Sequence, residues 1–285
     1  MNSLVSVIIP TCNRYDFLIR AVKSIERQTY KNLEIIVIDD YSDIVINKYD
    51  LKKYTSKPIK LIRNEIRKGG AVSRNIGIDL SEGDYFCFLD DDDEYYSNKV
   101  EDLLNFLIFN KYDAVFGKVD LKNGNIKVNK FSIPDSINSK KNIILMNVIH
   151  NNATLIHRKC KVRFYEKLTR YQDMQYNLEL WYKYKVGFFK QPIAVWYVED
   201  RKDKITSASS LEKKEKDLRA FIYLYRYLSN NLGFSRFLLA SYTLKLVKES
   251  FVMMPPKDFI KLFFSLKFSL FGAIVSYIYR KRFFK

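Results

Sequence analysis

Four consecutive aspartates, Asp90-Asp91-Asp92-Asp93, close a short apolar run, Tyr85-Phe86-Cys87-Phe88-Leu89. The run has the length and residue types of a buried strand, so the carboxylates fall where that strand leaves its sheet. Carboxylates crowded at such an edge repel one another unless a cation sits among them. A hard divalent ion with oxygen ligands, Mg²⁺ or Mn²⁺, suits that position and commonly holds substrate phosphates as well. Taken by themselves, the four residues fit an acidic surface turn as readily. A second acidic strand end, Asp39-Asp40-Tyr41-Ser42-Asp43, follows the apolar run at 33–38. Asp173 begins an amphipathic segment, where an aspartate by itself reads as a helix cap favoured by the dipole.

The elements that position these groups follow from hydrophobic spacing. Residues 4–9 are a buried-strand pattern broken by Pro10-Thr11-Cys12-Asn13-Arg14. Asp16 is placed to cap the next helix, whose Phe17, Leu18, Ala21, Val22 and Ile25 recur at helical spacing. Strands are predicted at 33–38, 59–63 and 84–89. Helices are predicted from Gly69-Gly70 through Leu80, carrying Arg74 and Asn75, and over 98–109. This alternation means right-handed βαβ units and a mostly parallel sheet. Both acidic motifs then lie at carboxyl ends of strands and share one crevice. No Gly-x-Gly-x-x-Gly follows the first strand and no Gly-Lys-Ser/Thr loop is present, which disfavours a dinucleotide enzyme or a P-loop NTPase.

Beyond Tyr112 the pattern changes. Two short strand-like runs flank Asn123-Gly124, a hairpin signal. A helix is expected around 142–148, a strand over 153–157, and a helix from Asp173 that buries Leu178, Trp181 and Tyr182. His150 and His157 read as ordinary polar side chains near a strand, since they form no two-histidine ligand motif.

The chain has 285 residues, enough for one sizeable α/β domain with an appendage. The division expected is 1–205 for the α/β domain and 206–285 for a helical extension. Cys12, Cys87 and Cys160 are odd in number and far apart, so they read as buried thiols in a reducing compartment. Met1-Asn2-Ser3-Leu4 leads straight into a strand, and no signal peptide is expected. Of the net charge of +17, residues 201–285 contribute 18 Lys and Arg against 6 Asp and Glu, a surplus of 12. A basic surface of this kind attracts phosphates of nucleic acid or of anionic lipid. The same third ends in an apolar, aromatic segment at 259–279 interrupted by Lys261 and Lys267. Its longest uninterrupted apolar run, 268–279, is 12 residues, short of the roughly 20 that span a bilayer. An interfacial helix with lysine and arginine at the headgroups is expected there. A helix docked on the α/β domain, or on a second copy in a homo-oligomer, is the other reading.

Four segments together carry a resemblance. They are Val5-Ser6-Val7-Ile8-Ile9-Pro10-Thr11-Cys12-Asn13-Arg14, Ile38-Asp39-Asp40-Tyr41-Ser42-Asp43, Gly70-Ala71-Val72-Ser73-Arg74-Asn75-Ile76-Gly77 and Phe88-Leu89-Asp90-Asp91-Asp92-Asp93. In order and spacing they resemble a family 2 glycosyltransferase over roughly the first hundred residues. The likeness thins between 113 and 152 and returns at Gln172-Asp173, where the family's commoner pair is Glu-Asp. The resemblance implies a GT-A-type fold, with a Rossmann-like, mostly parallel sheet and flanking helices, and inverting transfer from a nucleotide diphosphate sugar. By the same resemblance Pro10, Thr11 and Asn13 would line the nucleotide pocket, and Asp40, with Asp39, would bond the base, commonly uracil. Arg74 would face the donor, Asp90 and Asp91 would lie in the Asp-x-Asp region with Asp91 nearer the ribose, and Asp92 would be the metal ligand. Asp173 would be the catalytic base. The segment 196–202 lies where the family often closes over the diphosphate, with Arg201 and Lys202 in reach of phosphate.

The expectation is therefore a metal-dependent glycosyltransferase, peripheral on the cytoplasmic face of the cell membrane. Its acceptor would be a glycan on a polyprenyl carrier. A sugar nucleotidyltransferase, which also pairs aspartates with a metal, and a basic nucleic-acid-binding protein are the alternatives. The paired acidic motifs and Asp173 weigh against both, and no nucleic-acid partner is expected.

Overall fold

The computed structural model describes residues 2–123, 126–127 and 150–197, with five helical residues further on: Ala220, Tyr223, Leu224, Tyr227 and Leu228. The order begins β1 (Val5–Thr11), α1 (Tyr15–Glu26), β2 (Leu33–Asp39), α2 (Lys48–Leu51), β3 (Ile59–Arg63) and α3 (Gly70–Leu80). It continues with β4 (Tyr85–Phe88), β5 (Glu94–Tyr95), α4 (Lys99–Phe109), β6 (Ala114–Asn123) and β7 (Ile126–Lys127). A short 3-10 turn (Asn151–Ala153), β8 (Thr154–His157), α5 (Gln172–Lys183) and β9 (Val186–Tyr197) complete it. The strands form one sheet in the order β3-β2-β1-β4-β8-β6-β9-β5, with β7 on β6.

The first half, β3-β2-β1-β4, is parallel throughout. The second half is mixed: β8 runs antiparallel to both β4 and β6, and β6 pairs in parallel with β9. β6 and β7 form the antiparallel pair expected around residues 124–125. The helix expected at 142–148 and the segment 198–219 lie outside the described residues, as does the apolar run 268–279. Among the described residues no helix is long and apolar enough to cross a membrane.

Strand alternation divides the core between the two faces of the sheet. Val5, Val7 and Ile9 of β1, Leu33, Ile35 and Val37 of β2, and Cys87 of β4 face Leu18, Val22 and Ile25 of α1 and Leu103, Leu104 and Leu107 of α4. Ile8, Ile36, Ile38, Phe86 and Phe88 face the other way, onto Ala71 and Ile78 of α3 and Tyr176 and Leu180 of α5. Phe164 stacks on Tyr176 with ring centroids 4.2 Å apart, and both rings meet Phe88 edge-on. This aromatic trio presses α5 against the strand that ends in the aspartates.

Gly77 sets how closely α3 approaches β1, since a Cβ there would fall 2.3 Å from Ile8 Cγ2. Gly77→Ala is expected to lower stability by about 1–3 kcal/mol, the usual penalty for overpacking. It would appear as a lower urea midpoint with an unchanged slope.

Two local expectations are corrected. Asp16 does not cap α1: the cap position is Arg14, and Asp16 lies inside the first turn, where it favours the helix through the dipole. In α5, Leu178 is buried and Trp181 packs on Phe116, but Tyr182 is exposed. The buried side of α5 is instead built from Met174, Tyr176, Leu178 and Leu180 together with polar Gln175, Asn177 and Glu179. Gln175 accepts from the Tyr165 amide and donates to the Arg163 carbonyl. Its amide also donates to Glu179, which further accepts from Lys183 and the Tyr227 hydroxyl. Gln175 and Glu179 paired in this way are stable in a core, a burial that hydrophobic period does not signal.

Candidate active site

Strand ends and one connector bring the singled-out residues to one place. Beside the end of β1, the Asp40 amide donates to the Thr11 carbonyl at 2.8 Å, and the Thr11 hydroxyl donates to Asp91 Oδ2 at 2.7 Å. Pro10 is half-buried in the same strand. Thr11 thereby ties the acidic end of β2 to the acidic loop after β4. Asn13, in a left-handed conformation at φ 56°, exchanges two hydrogen bonds with Asp43 and closes the near rim.

The carboxylates at the end of β2 are committed to their surroundings. Asp39 receives Arg63 Nη1 at 2.7 Å and both the amide and hydroxyl of Ser42. Asp40 Oδ1 accepts from Asn64 Nδ2 and the Lys68 amide, and Oδ2 accepts from the Gly69 amide, each at 2.8 Å. Asp40 therefore pins the loop that opens α3, and so fixes where Arg74 starts from. Gly69 adopts φ +85° in that loop, a conformation glycine supplies without strain.

The loop after β4 holds more carboxylate than it can keep ionised unaided. Arg14 Nη1 lies 3.1 Å from both Asp91 Oδ1 and Asp92 Oδ2. Arg20 supports the turn through the Asp92 carbonyl and through Glu94. Burial pushes the Asp91 carboxyl up to about 7, against the pull of Arg14 and with the help of neighbouring Asp92. Asp93 is raised well above the ordinary range by burial, then by Asp92 and Asp90. Asp90 is the exception: burial works against its charge, but the Arg74 guanidinium holds it below the usual range. An oxygen-rich pocket with surplus negative charge fits a hard divalent ion. Asp92 is the ligand expected from sequence. Asp90, Asp93 and His150 form a second possible set, with ligand atoms within 4.8 Å of one another.

Arg74 joins this loop to α5. Its Nη2 donates to Asp90 Oδ1 at 2.6 Å, and its Nη1 stands 4.0 Å from Asp173 Oδ1. Asp173 lies in the first turn of α5, three residues before the Tyr176 that packs on Phe88 and Phe164. Burial raises its pKa, and Asp90 adds to the rise; Arg74, His150 and a hydrogen bond from Asn151 oppose it. Since 41% of the Asp173 side chain is exposed, solvent also limits the rise.

Arg14, His150, Asn151 and Asn152 are the residues that sequence reading missed here. Arg14 closes the segment that follows β1 and is the cation paired with Asp91 and Asp92. Ligand spacing along the chain does not reveal His150, since its neighbours Asp90 and Asp93 are distant in sequence. The two asparagines carry no local signal at all.

A βαβ half that presents carboxylates at its carboxyl edge, followed by a mixed half that returns an aspartate to the same crevice, is the architecture of GT-A-type transferases. Residues 6–171 match the family described as Glycosyl transferase family 2, and the chain belongs to that family. It is 33% identical over 138 residues to the UDP-Glc:alpha-D-GlcNAc-diphosphoundecaprenol beta-1,3-glucosyltransferase WfgD of Escherichia coli, covering 48% of this chain and 54% of that one. It is 36% identical over 105 residues to the amylovoran biosynthesis glycosyltransferase AmsB of Erwinia amylovora, covering 36% and 35%. The chain thus spans about half the length of WfgD and a third of AmsB. Among solved structures, S. aureus TarS in complex with UDP-GlcNAc superposes with a TM-score of 0.66 at 18% identity, over 84% of this chain and 71% of that one, a likeness of fold.

Proposed function

We propose that this glycosyltransferase moves a sugar, with inversion, from a UDP-linked donor to a hydroxyl of a lipid-linked glycan. The work is done at the cytoplasmic face of the cell membrane, in the synthesis of a cell-surface polysaccharide. The observation that carries the reading is the Arg74 bridge, with Asp90 on one side and Asp173 on the other. It brings a carboxylate-rich, diphosphate-type site and a lone carboxylate within one side chain of each other. The names of WfgD and AmsB support a polyprenyl-diphosphate-linked acceptor and a polysaccharide product.

In this reading Asp173 takes the proton of the acceptor hydroxyl. The freed oxygen attacks the anomeric carbon as the bond to the diphosphate oxygen breaks, and that electron pair leaves with the nucleoside diphosphate. A single displacement inverts the anomeric centre. Mn²⁺ or Mg²⁺ held by Asp92 would supply positive charge against the diphosphate as its charge develops. Pro10, Thr11 and Asn13 line the nucleotide side, Asp39 and Asp40 hold the base-side rim, and Asp91 lies toward the ribose. Arg74 holds the donor side and favours the charged form of Asp173 against the effect of burial. The basic residues beyond 200 supply contact with anionic lipid.

The test is incubation with a panel of UDP-sugars, Mn²⁺ and a polyprenyl-diphosphate-linked GlcNAc acceptor. Release of UDP with a lengthened lipid-linked glycan is expected. No UDP release, with UTP and sugar 1-phosphate formed once pyrophosphate is added, would identify a nucleotidyltransferase.

A further inference from the structure

Two adjacent side chains, Asn151 and Asn152, are both fully buried and face opposite halves of the site. Asn152 Oδ1 accepts from the Asp90 amide at 2.8 Å, and its Nδ2 donates to Asp93. Asn151 Nδ2 donates to Asp173 Oδ1 at 2.6 Å, and its Oδ1 accepts from Asn177 Nδ2 at 3.2 Å. Asn177 is four residues beyond Asp173, on the same face of α5, so one amide is held by the helix it serves. The turn that carries the pair is itself fixed. The Thr154 hydroxyl donates to the Asn151 carbonyl at 2.8 Å, and the His150 ring accepts from the Asn152 amide. The His150 ring in turn packs on Trp196, 5.0 Å between centroids.

We propose that Asn151 is a positioning residue for the reaction, orienting the carboxylate of Asp173, and that the Asn151–Asn152 pair sets the span between the aspartate loop and that carboxylate. The inference rests on Asp173 acting as the base. An amide suits the task because it donates to the carboxylate with one end and accepts with the other. The bond occupies Oδ1 of Asp173 and fixes the carboxylate plane, so Oδ2 is held in a set direction for the incoming hydroxyl. Misplacing a reacting group by about 1 Å can lower a rate about 10²-fold. The arrangement also answers how two elements more than eighty residues apart keep register: a single turn of three residues touches both.

Asn151→Ala and the isosteric Asn151→Asp test this, with UDP release from the UDP-sugar and lipid-linked acceptor as the rate, and calorimetric titration of UDP with Mn²⁺ as the binding measure. Both variants are expected to lose about 10–100-fold in kcat with UDP affinity unchanged, and Asn177→Ala a smaller loss in the same direction. In an Asp173→Asn background, Asn151→Ala is expected to cause no further loss, because the group it orients has gone. A structural role would not produce that non-additivity. Normal kcat in Asn151→Asp, loss confined to UDP affinity, or an undiminished effect in the Asp173→Asn background would each overturn the proposal while leaving the base assignment standing. Full turnover by Asp173→Asn alone would overturn the base assignment, and the proposal with it.

Discussion

Asp173→Asn is expected to lower kcat for sugar transfer by about 10²–10⁴-fold, the usual contribution of a general base. Nucleotide binding should survive, because Asp173 meets the aspartate loop indirectly, through Arg74 at 4.0 Å and through the Asn151–Asn152 turn. The amide is isosteric, keeps an acceptor for Asn151 Nδ2, and should leave α5 in place. The contrast to measure is therefore UDP affinity by calorimetry against turnover by UDP release. Equal loss in both would move Asp173 from the acceptor side to the donor side. The wild-type pH profile offers a second check. The base works only as the carboxylate, so activity is full above its pKa and falls as pH drops through it. Burial raises that pKa, with Asp90 adding to the rise and Arg74 opposing it. The acid limb should accordingly lie above the ordinary aspartate range. Arg74→Gln should carry it higher still, because it removes the nearest opposing charge. A limb at the ordinary value in both proteins would mean that another group is titrating.

How much of this was legible beforehand depends on the range of the interaction. Apolar patterning places β2, β3, β4 and α3 to within a residue, because each packs against a core whose two faces are set by the strands themselves, while β1 runs on through Pro10 and Thr11, where the pattern reads as broken. The acidic ends of β2 and β4 could be placed in one crevice, since parallel strands put their carboxyl ends on one edge. The second half was harder. β8 inserts between β4 and β6, an antiparallel choice that no local pattern encodes. Asp173 could be reached by resemblance alone, because an aspartate in a first helical turn has a sufficient structural reason of its own. The Asn151–Asn152 pair could not be reached at all. Its meaning lies in partners 22 and 59 or more residues away, and asparagines are ordinary in turns. Tyr182 shows the converse error: helical spacing places it on the core face, which buried polar Gln175, Asn177 and Glu179 share instead.

Asp92→Ala is the second large effect expected, and it separates two ways of holding a divalent ion. With Asp92 as the ligand, its removal should abolish the Mn²⁺-dependent part of UDP binding. The loss should exceed the about 10–100-fold that changes to outer-sphere partners cause in metal affinity. Metal-free nucleotide binding should persist through Thr11 and the strand ends. The variant also removes the Asp92 carboxylate that Arg14 shares with Asp91, leaving its guanidinium closer to Asp91. Closer pairing favours the charged form, so the Asp91 carboxyl, pushed up to about 7 in the parent, should titrate lower. The competing set, Asp90, Asp93 and His150, predicts the reverse pattern: Mn²⁺ dependence kept in Asp92→Ala and lost in His150→Ala. Asp90 is already bonded to Arg74, and each oxygen of Asp93 accepts one hydrogen bond, from the Tyr197 amide and from Asn152. An ion there would compete with buried hydrogen bonds that hold the loop, whereas at Asp92 it would compete with the partly exposed guanidinium of Arg14. Mn²⁺ titrations of UDP binding in the two variants, side by side, decide between them.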